Sequence, residues 1–159
     1  MPMSAYLFEQ LAFVRGQTVK ALQDVSEAQA AAVPAGFRNS VLWQAGHIYF
    51  VQERFAFSAQ GREAEIPEGF AAWFAPGSSP ATWADRPPAL AELTEMLRDQ
   101  TKRIVDTWDG RLHEGAPKPY TTSTGITLTA TDAFLNFTLY HEGMHFQAIK
   151  MYKGLLAKA

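Results

Sequence analysis

The chain has 159 residues, 47% of them hydrophobic and 13% aromatic, with a formal charge of -2 at pH 7. That length and apolar content suit one core-forming domain, residues 1–159, and exclude a disordered polyelectrolyte. The absence of cysteine excludes disulfide staples, thiolate metal sites and a cysteine nucleophile, while scattered rather than clustered basic residues argue against a nucleic-acid partner.

No uninterrupted apolar run approaches the ~20 residues of a membrane helix. The first basic residue, Arg15, follows the first apolar stretch instead of leading it, which does not fit a secretory signal. The expectation is a cytoplasmic protein with a small-molecule substrate and neither membrane nor nucleic acid as partner.

From about Ser4 to Val25, Leu7, Leu11, Val14, Leu22 and Val25 recur at helical spacing with Thr18 filling the gap, which predicts a first amphipathic helix. Val33-Pro34-Ala35-Gly36 breaks the pattern. Asn39 or Ser40 is placed to cap a second helix running to about Gly61, with Trp43, His47, Phe50, Val51 and Phe57 on its buried stripe. Between about Glu63 and Pro88, prolines and glycines punctuate Phe70, Trp73, Phe74 and Trp83. So long and aromatic a connection reads either as a wall over a pocket or as a crossover that patches the end of the core.

A third helix is predicted from about Pro88 to Trp108, with Leu90, Leu93, Leu97, Ile104 and Trp108 on one side. The Thr-rich segment from Tyr120 to Leu128, with Gly125 at its turn, predicts a small hairpin that must pack on the helices. Thr129-Ala130-Thr131-Asp132 reads as a capping signal that opens a fourth helix near residue 130. Its apolar face carries Phe134, Phe137, His141, His145, Ala148, Tyr152 and Leu155. Four helices joined by one long crossover describe an all-α helix bundle.

The chemistry sits on those helices. His141 and His145 are four residues apart and project from one helix face, so they can grip one ion between them. His47 lies in the apolar stretch 41–50, where an unpartnered imidazole is costly to bury. Each histidine alone has a simpler reading as a hydrogen-bonded core residue; three on buried stripes favour a shared divalent ion. Neutral imidazoles suit zinc or nickel first, with iron, cobalt or manganese as alternatives. With no charged ligand the ion keeps its full charge, which favours hydroxide, a thiolate or an oxyanion beside it and yields a nucleophile from water or a thiol. His113, in the loop before the hairpin, is expected at the surface.

The run His141-Glu142-Gly143-Met144-His145 also satisfies the His-Glu-x-x-His pattern of zinc peptidases. Residues 146–159, however, contain no His, Asp or Glu to serve as a downstream ligand, and no convincing sheet is present to hold a peptide. Glu142 stands as the candidate proton acceptor beside the ion, against a plain structural carboxylate. Trp43, Gln44, Phe50, Tyr140 and Met144 neighbour the histidines along their helices and are the candidate pocket residues. Arg54, seven residues beyond His47 on nearly the same face, either pairs with a substrate carboxylate or reaches past the apolar stripe to solvent.

Trp43-x-x-Gly46-His47-Ile48 in the second helix and His141-Glu142-x-x-His145-x-Gln147 in the fourth, separated by a long crossover and a Thr-rich hairpin, resemble the DinB-like superfamily, also called the DinB/YfiT-like metalloenzymes. The resemblance spans nearly the whole chain in order and length. It implies a four-helix bundle of up-down-down-up type, a metal held by His47, His141 and His145 near one end, and a homodimer. The chemistry known in that family implies a thiol-dependent S-transferase, or a related transferase or isomerase, acting on a small electrophile with a low-molecular-weight thiol such as mycothiol or bacillithiol as co-substrate. The alternatives are a non-catalytic metal-binding or small-ligand-binding bundle and a metal-dependent hydrolase.

Overall fold

The apolar periodicities form helices close to their predicted bounds. In a computed structural model that describes residues 3–158, the order is α1 (Met3–Leu22), α2 (Glu27–Ala31), α3 (Val41–Ala56), α4 (Phe70–Phe74), α5 (Leu90–Trp108), β1 (Gly115–Thr121), β2 (Thr127–Ala130) and α6 (Thr131–Leu156). The protein is mostly helical with one small antiparallel sheet. Among the described residues no helix is long and apolar enough to cross a membrane.

Ser40, fully buried, caps α3 by accepting from the Trp43 N–H at 3.1 Å. The helix stops at Ala56, short of the predicted Gly61, because a tight 3-10 turn at Ser58–Gln60 follows and Gly61 reverses the chain at φ 70°. α3 is the central element: all of its residues except Arg54 are buried. It packs on α6 and α5, and α1 packs on the same two helices.

The pairings along those contacts are specific. Gln44 meets Tyr152 and Phe55 meets Phe134 between α3 and α6. Gln100 Nε2 donates to Tyr49 O and Trp108 Nε1 donates to Ala56 O between α5 and α3, both at 2.9 Å. Lys153 Nζ donates to Ala21 O at 2.7 Å between α6 and α1.

Two helix starts differ from expectation. α5 begins at Leu90 rather than Pro88, and Ala89 offers no side-chain cap. Its first N–H groups are taken instead by Glu27 of α2, whose carboxylate accepts from Leu90 and Ala91 at 2.9 and 3.1 Å. The capping signal before α6 does not cap: Ala130 is the N-cap, and the Thr131 and Asp132 N–H groups donate to the carbonyls of Glu114 and Leu112 at 3.0 and 2.8 Å. The hairpin starts earlier than predicted, and its register is irregular between Gly115 and Tyr120, where Pro117 and Pro119 supply no ladder donors.

The crossover between α3 and α5 is anchored rather than slack. Phe70 and Phe74 on α4 are fully buried in the core, each contributing roughly 1.5–3 kcal/mol by transfer from water. Trp43 Nε1 donates to Ser78 Oγ at 2.9 Å, Trp83 Nε1 to Trp73 O at 2.9 Å and Trp73 Nε1 to Asp85 Oδ1 at 2.8 Å.

Candidate metal centre

Antiparallel contact between α3 and α6 brings His47 opposite His141 and His145. The ring centroids lie 5.0 Å apart for His47 and His141, 4.7 Å for His47 and His145, and 4.4 Å for His141 and His145. One nitrogen from each ring falls within 4.8 Å of those of the other two.

Two of the rings have their tautomer set by an oxygen that can only accept. His47 Nδ1 lies 2.7 Å from Phe74 O, and His145 Nδ1 lies 2.5 Å from Gln44 Oε1. Each Nδ1 therefore carries the proton and each Nε2 is left as a bare lone pair. Gln44 is oriented in turn by Tyr152, its Nε2 approaching the phenol oxygen at 3.5 Å. His141 Nε2 is 3.2 Å from His47 Nε2. Two nitrogens on one tetrahedral ion, each at 2.0–2.1 Å, stand about 3.3 Å apart, so the donor set and its spacing fit a divalent ion.

Burial keeps these imidazoles neutral. Loss of solvent, then the neighbouring His145 and His47, lowers the pKa of His141 from 6.5 to about 2. Loss of solvent, then His47, lowers that of His145 to about 4. His47 is lowered by burial, with its bond to Phe74 O opposing the shift. Neutral imidazole is the ligating form.

The candidate pocket residues fall into two groups. Trp43 stacks on the His47 ring at 4.4 Å and 13°, and Gln44 holds His145. Phe50 is buried beyond His47 against Phe70, and the Arg54 guanidinium lies over its ring at 5.6 Å. Tyr140 and Met144 stand outward on α6, 58% and 45% exposed, as a rim beside the histidines. His113 is exposed as expected.

Arg54 also lines a cavity of about 500 Å³ with Phe55, Ser58, Lys118, Tyr120 and Phe134. A more open and more polar hollow of about 810 Å³ lies between the crossover and α5, around Tyr49, Glu65, Asp99 and Arg103, and shares no residue with the histidine cluster.

Glu142 is placed elsewhere. Its carboxylate is buried between helices, where Oε1 accepts from Arg15 Nε at 2.9 Å and from Thr18 Oγ1 at 2.8 Å, and Oε2 accepts from Arg15 Nη2 at 3.2 Å. The apolar stripe predicted for α6 is correspondingly rotated. Its fully buried column runs through Phe134, Leu135, Thr138, Glu142, Ile149 and Tyr152, with both histidines on its half-buried flank and Leu155 exposed.

Sequence reasoning missed the Phe74 carbonyl, because a backbone acceptor has no residue signature, and it missed Arg15. The signal for Arg15 was present: Leu7, Leu11, Arg15, Thr18 and Leu22 follow helical spacing as closely as the stripe drawn through Val14.

Helical architecture and a three-imidazole cluster compatible with metal binding define the class. The family profile described as the DinB superfamily matches residues 10–149, and the chain belongs to that superfamily. No curated protein matches the sequence.

Proposed function

We propose that the chain is a single-domain, up-down-down-up four-helix bundle that holds a divalent ion on His47, His141 and His145 and uses it on a small molecule. The helix directions rest on the pairings already given: α3 runs against α6, α5 runs with α3, and α1 runs with α6. The observation that carries the metal reading is the pair of Nδ1 protons tied to Phe74 O and Gln44 Oε1, which leaves the Nε2 atoms of His47 and His145 bare, that of His47 facing His141 Nε2. Zinc or nickel suits three imidazoles best.

Such an ion supplies the charge needed to bind and ionise a low-molecular-weight thiol or a water. The cluster offers three ligand groups among the described residues, which favours an exchangeable position over a closed structural site. The reaction best matched to that arrangement is a thiol-dependent transfer to a small electrophile. Trp43 and the Phe74 ring exclude water from the α3 side, and Tyr140 and Met144 form the rim that substrate passes.

Arg54 and Lys118, set among Phe55, Tyr120 and Phe134, give their cavity, which shares no residue with the histidine cluster, the chemistry for a carboxylate on an apolar body. Glu142, bonded through both oxygens to Arg15, supports α6 instead of accepting a substrate proton. A homodimer is supported by exposed Met151 and Leu155 farther along α6, beyond that rim.

Metal analysis of the tag-free protein, followed by thiol titration of the cobalt-substituted form, tests the reading. Near-stoichiometric metal and a thiolate-to-cobalt charge-transfer band are expected. Metal with no response to added thiol would leave the non-catalytic binding bundle, and no metal after reconstitution would sink the site.

A further inference from the structure

The helical core contains a complete ion pair that the proposed chemistry does not use. Arg15 and Glu142 are each 4% exposed at the side chain and meet through the two-point contact already described. The same guanidinium donates from Nη1 to Leu97 O at 2.5 Å and to Thr101 Oγ1 at 3.3 Å, and from Nη2 to Gln52 Oε1. Gln52 Nε2 in turn lies 3.4 Å from Thr138 Oγ1. From α1, one side chain bonds to α3, α5 and α6.

Stability alone gives weak reason for such a pair. Desolvating two charges offsets most of their attraction, and apolar side chains of similar volume are commonly as stable or more so. What apolar side chains supply poorly is an azimuth. Leucine on a helix face packs acceptably over a range of rotations, whereas a guanidinium fork accepts a carboxylate in one plane and one approach.

Glu142 follows His141 by one residue and precedes His145 by three, on one uninterrupted helix. Fixing the rotation of α6 at Glu142 therefore fixes the direction in which both imidazoles leave the helix. A ligand cluster requires that direction to within about 0.5 Å and 10–20°.

We propose that Arg15 and Glu142 are positioning residues for the metal clamp, the pair setting the rotation of α6 that carries His141 and His145 to His47. The inference rests on the reading of those three histidines as metal ligands. It assigns a function to a buried Arg and a buried Glu that touch none of the three rings through a hydrogen bond.

The test compares wild type with Arg15→Met/Glu142→Leu, which removes both charges so that neither is stranded, and with Arg15→Lys, which keeps the charge but loses the fork. Cobalt affinity, the cobalt visible spectrum and thermal unfolding of the metal-free protein are measured for each. The double variant strands Gln52 Oε1 and is expected to stay folded but melt below wild type, while its cobalt affinity falls at least about tenfold and its ligand-field bands change in intensity, with Arg15→Lys between the two in affinity. A folded double variant that binds cobalt as tightly as wild type, with the same spectrum, overturns the proposal.

If the double variant does not fold, Arg15→Lys decides. Weakened affinity in a folded chain supports positioning, and unchanged affinity and spectrum overturn it. Wild type that binds no cobalt overturns the metal reading itself and this proposal with it, a result distinct from variants that bind normally.

Discussion

Gly46 sits inside a helix, where glycine is disfavoured by about 1 kcal/mol relative to alanine. A Cβ built on it would stand 2.3 Å from Cδ1 and Cε1 of Phe74, far inside van der Waals contact. That ring has little room to retreat, with Phe70 at 4.7 Å and Trp83 at 5.9 Å between centroids. Overpacking of this kind costs about 1–3 kcal/mol, so the clash outweighs the helix-propensity gain. Phe74 also supplies the carbonyl that fixes His47 Nδ1, and strain at the ring is passed to one of the proposed metal ligands. Gly46→Ala is therefore expected to lose up to ~2 kcal/mol net in urea unfolding and to bind cobalt more weakly; a variant more stable than wild type would refute the close approach. The Gly46-His47 dipeptide is thus one device: the glycine lets the crossover touch α3 and the histidine uses that contact.

At the scale of elements, helix ends matter as much as helix faces. Ser40 is buried and caps α3, the helix against which α5 and α6 both pack, so Ser40→Ala is expected to lower unfolding free energy by about 1 kcal/mol with the cobalt spectrum unchanged. A loss within error by chemical denaturation would show that water or a neighbouring group replaces the hydroxyl. Ser40 was legible because its cap is local in sequence, as were the long helices, whose periodicity is set by which face must leave water. The caps of α5 and α6 were not legible. Their partners, Glu27 and the carbonyls of Leu112 and Glu114, come from other segments, and no local pattern encodes them. The His141 and His145 pair was legible for the first reason, since i and i+4 on one helix is a local signature, whereas their convergence on His47, 94 residues away, was inferred only from its apolar helix face. Glu142 was misplaced relative to it because a carboxylate next to a ligand looks reactive until its buried arginine, 127 residues away, is seen.

For the whole molecule, the histidine cluster links stability to acidity and, on the proposed reading, to metal. A histidine that is charged in the unfolded chain but neutral in the fold makes the fold bind fewer protons, so stability is fully present above the ordinary pKa of 6.5 and is lost as pH falls toward the folded value, about 4 for His145. Each such histidine contributes a slope of at most about 1.4 kcal/mol per pH unit in that window. On the proposed metal reading, an added ion binds only where the three rings converge and stabilises the fold by about 2.7 kcal/mol at one hundred times its dissociation constant. Two effects should therefore travel together in thermal melts. Metal-free wild type should lose stability as pH falls from 6.5 toward 4, and at neutral pH a chelator should lower the melting temperature of the metal-loaded protein. His145→Ala removes one of the titrating rings and opens the clamp, so the variant should show a shallower acid decline and no response to chelator. A variant that keeps the full chelator response would show that His145 does not hold the ion. Wild type that melts identically with and without chelator, yet declines in acid more steeply than the variant, would identify the histidines as buried neutral core residues whose convergence serves packing alone.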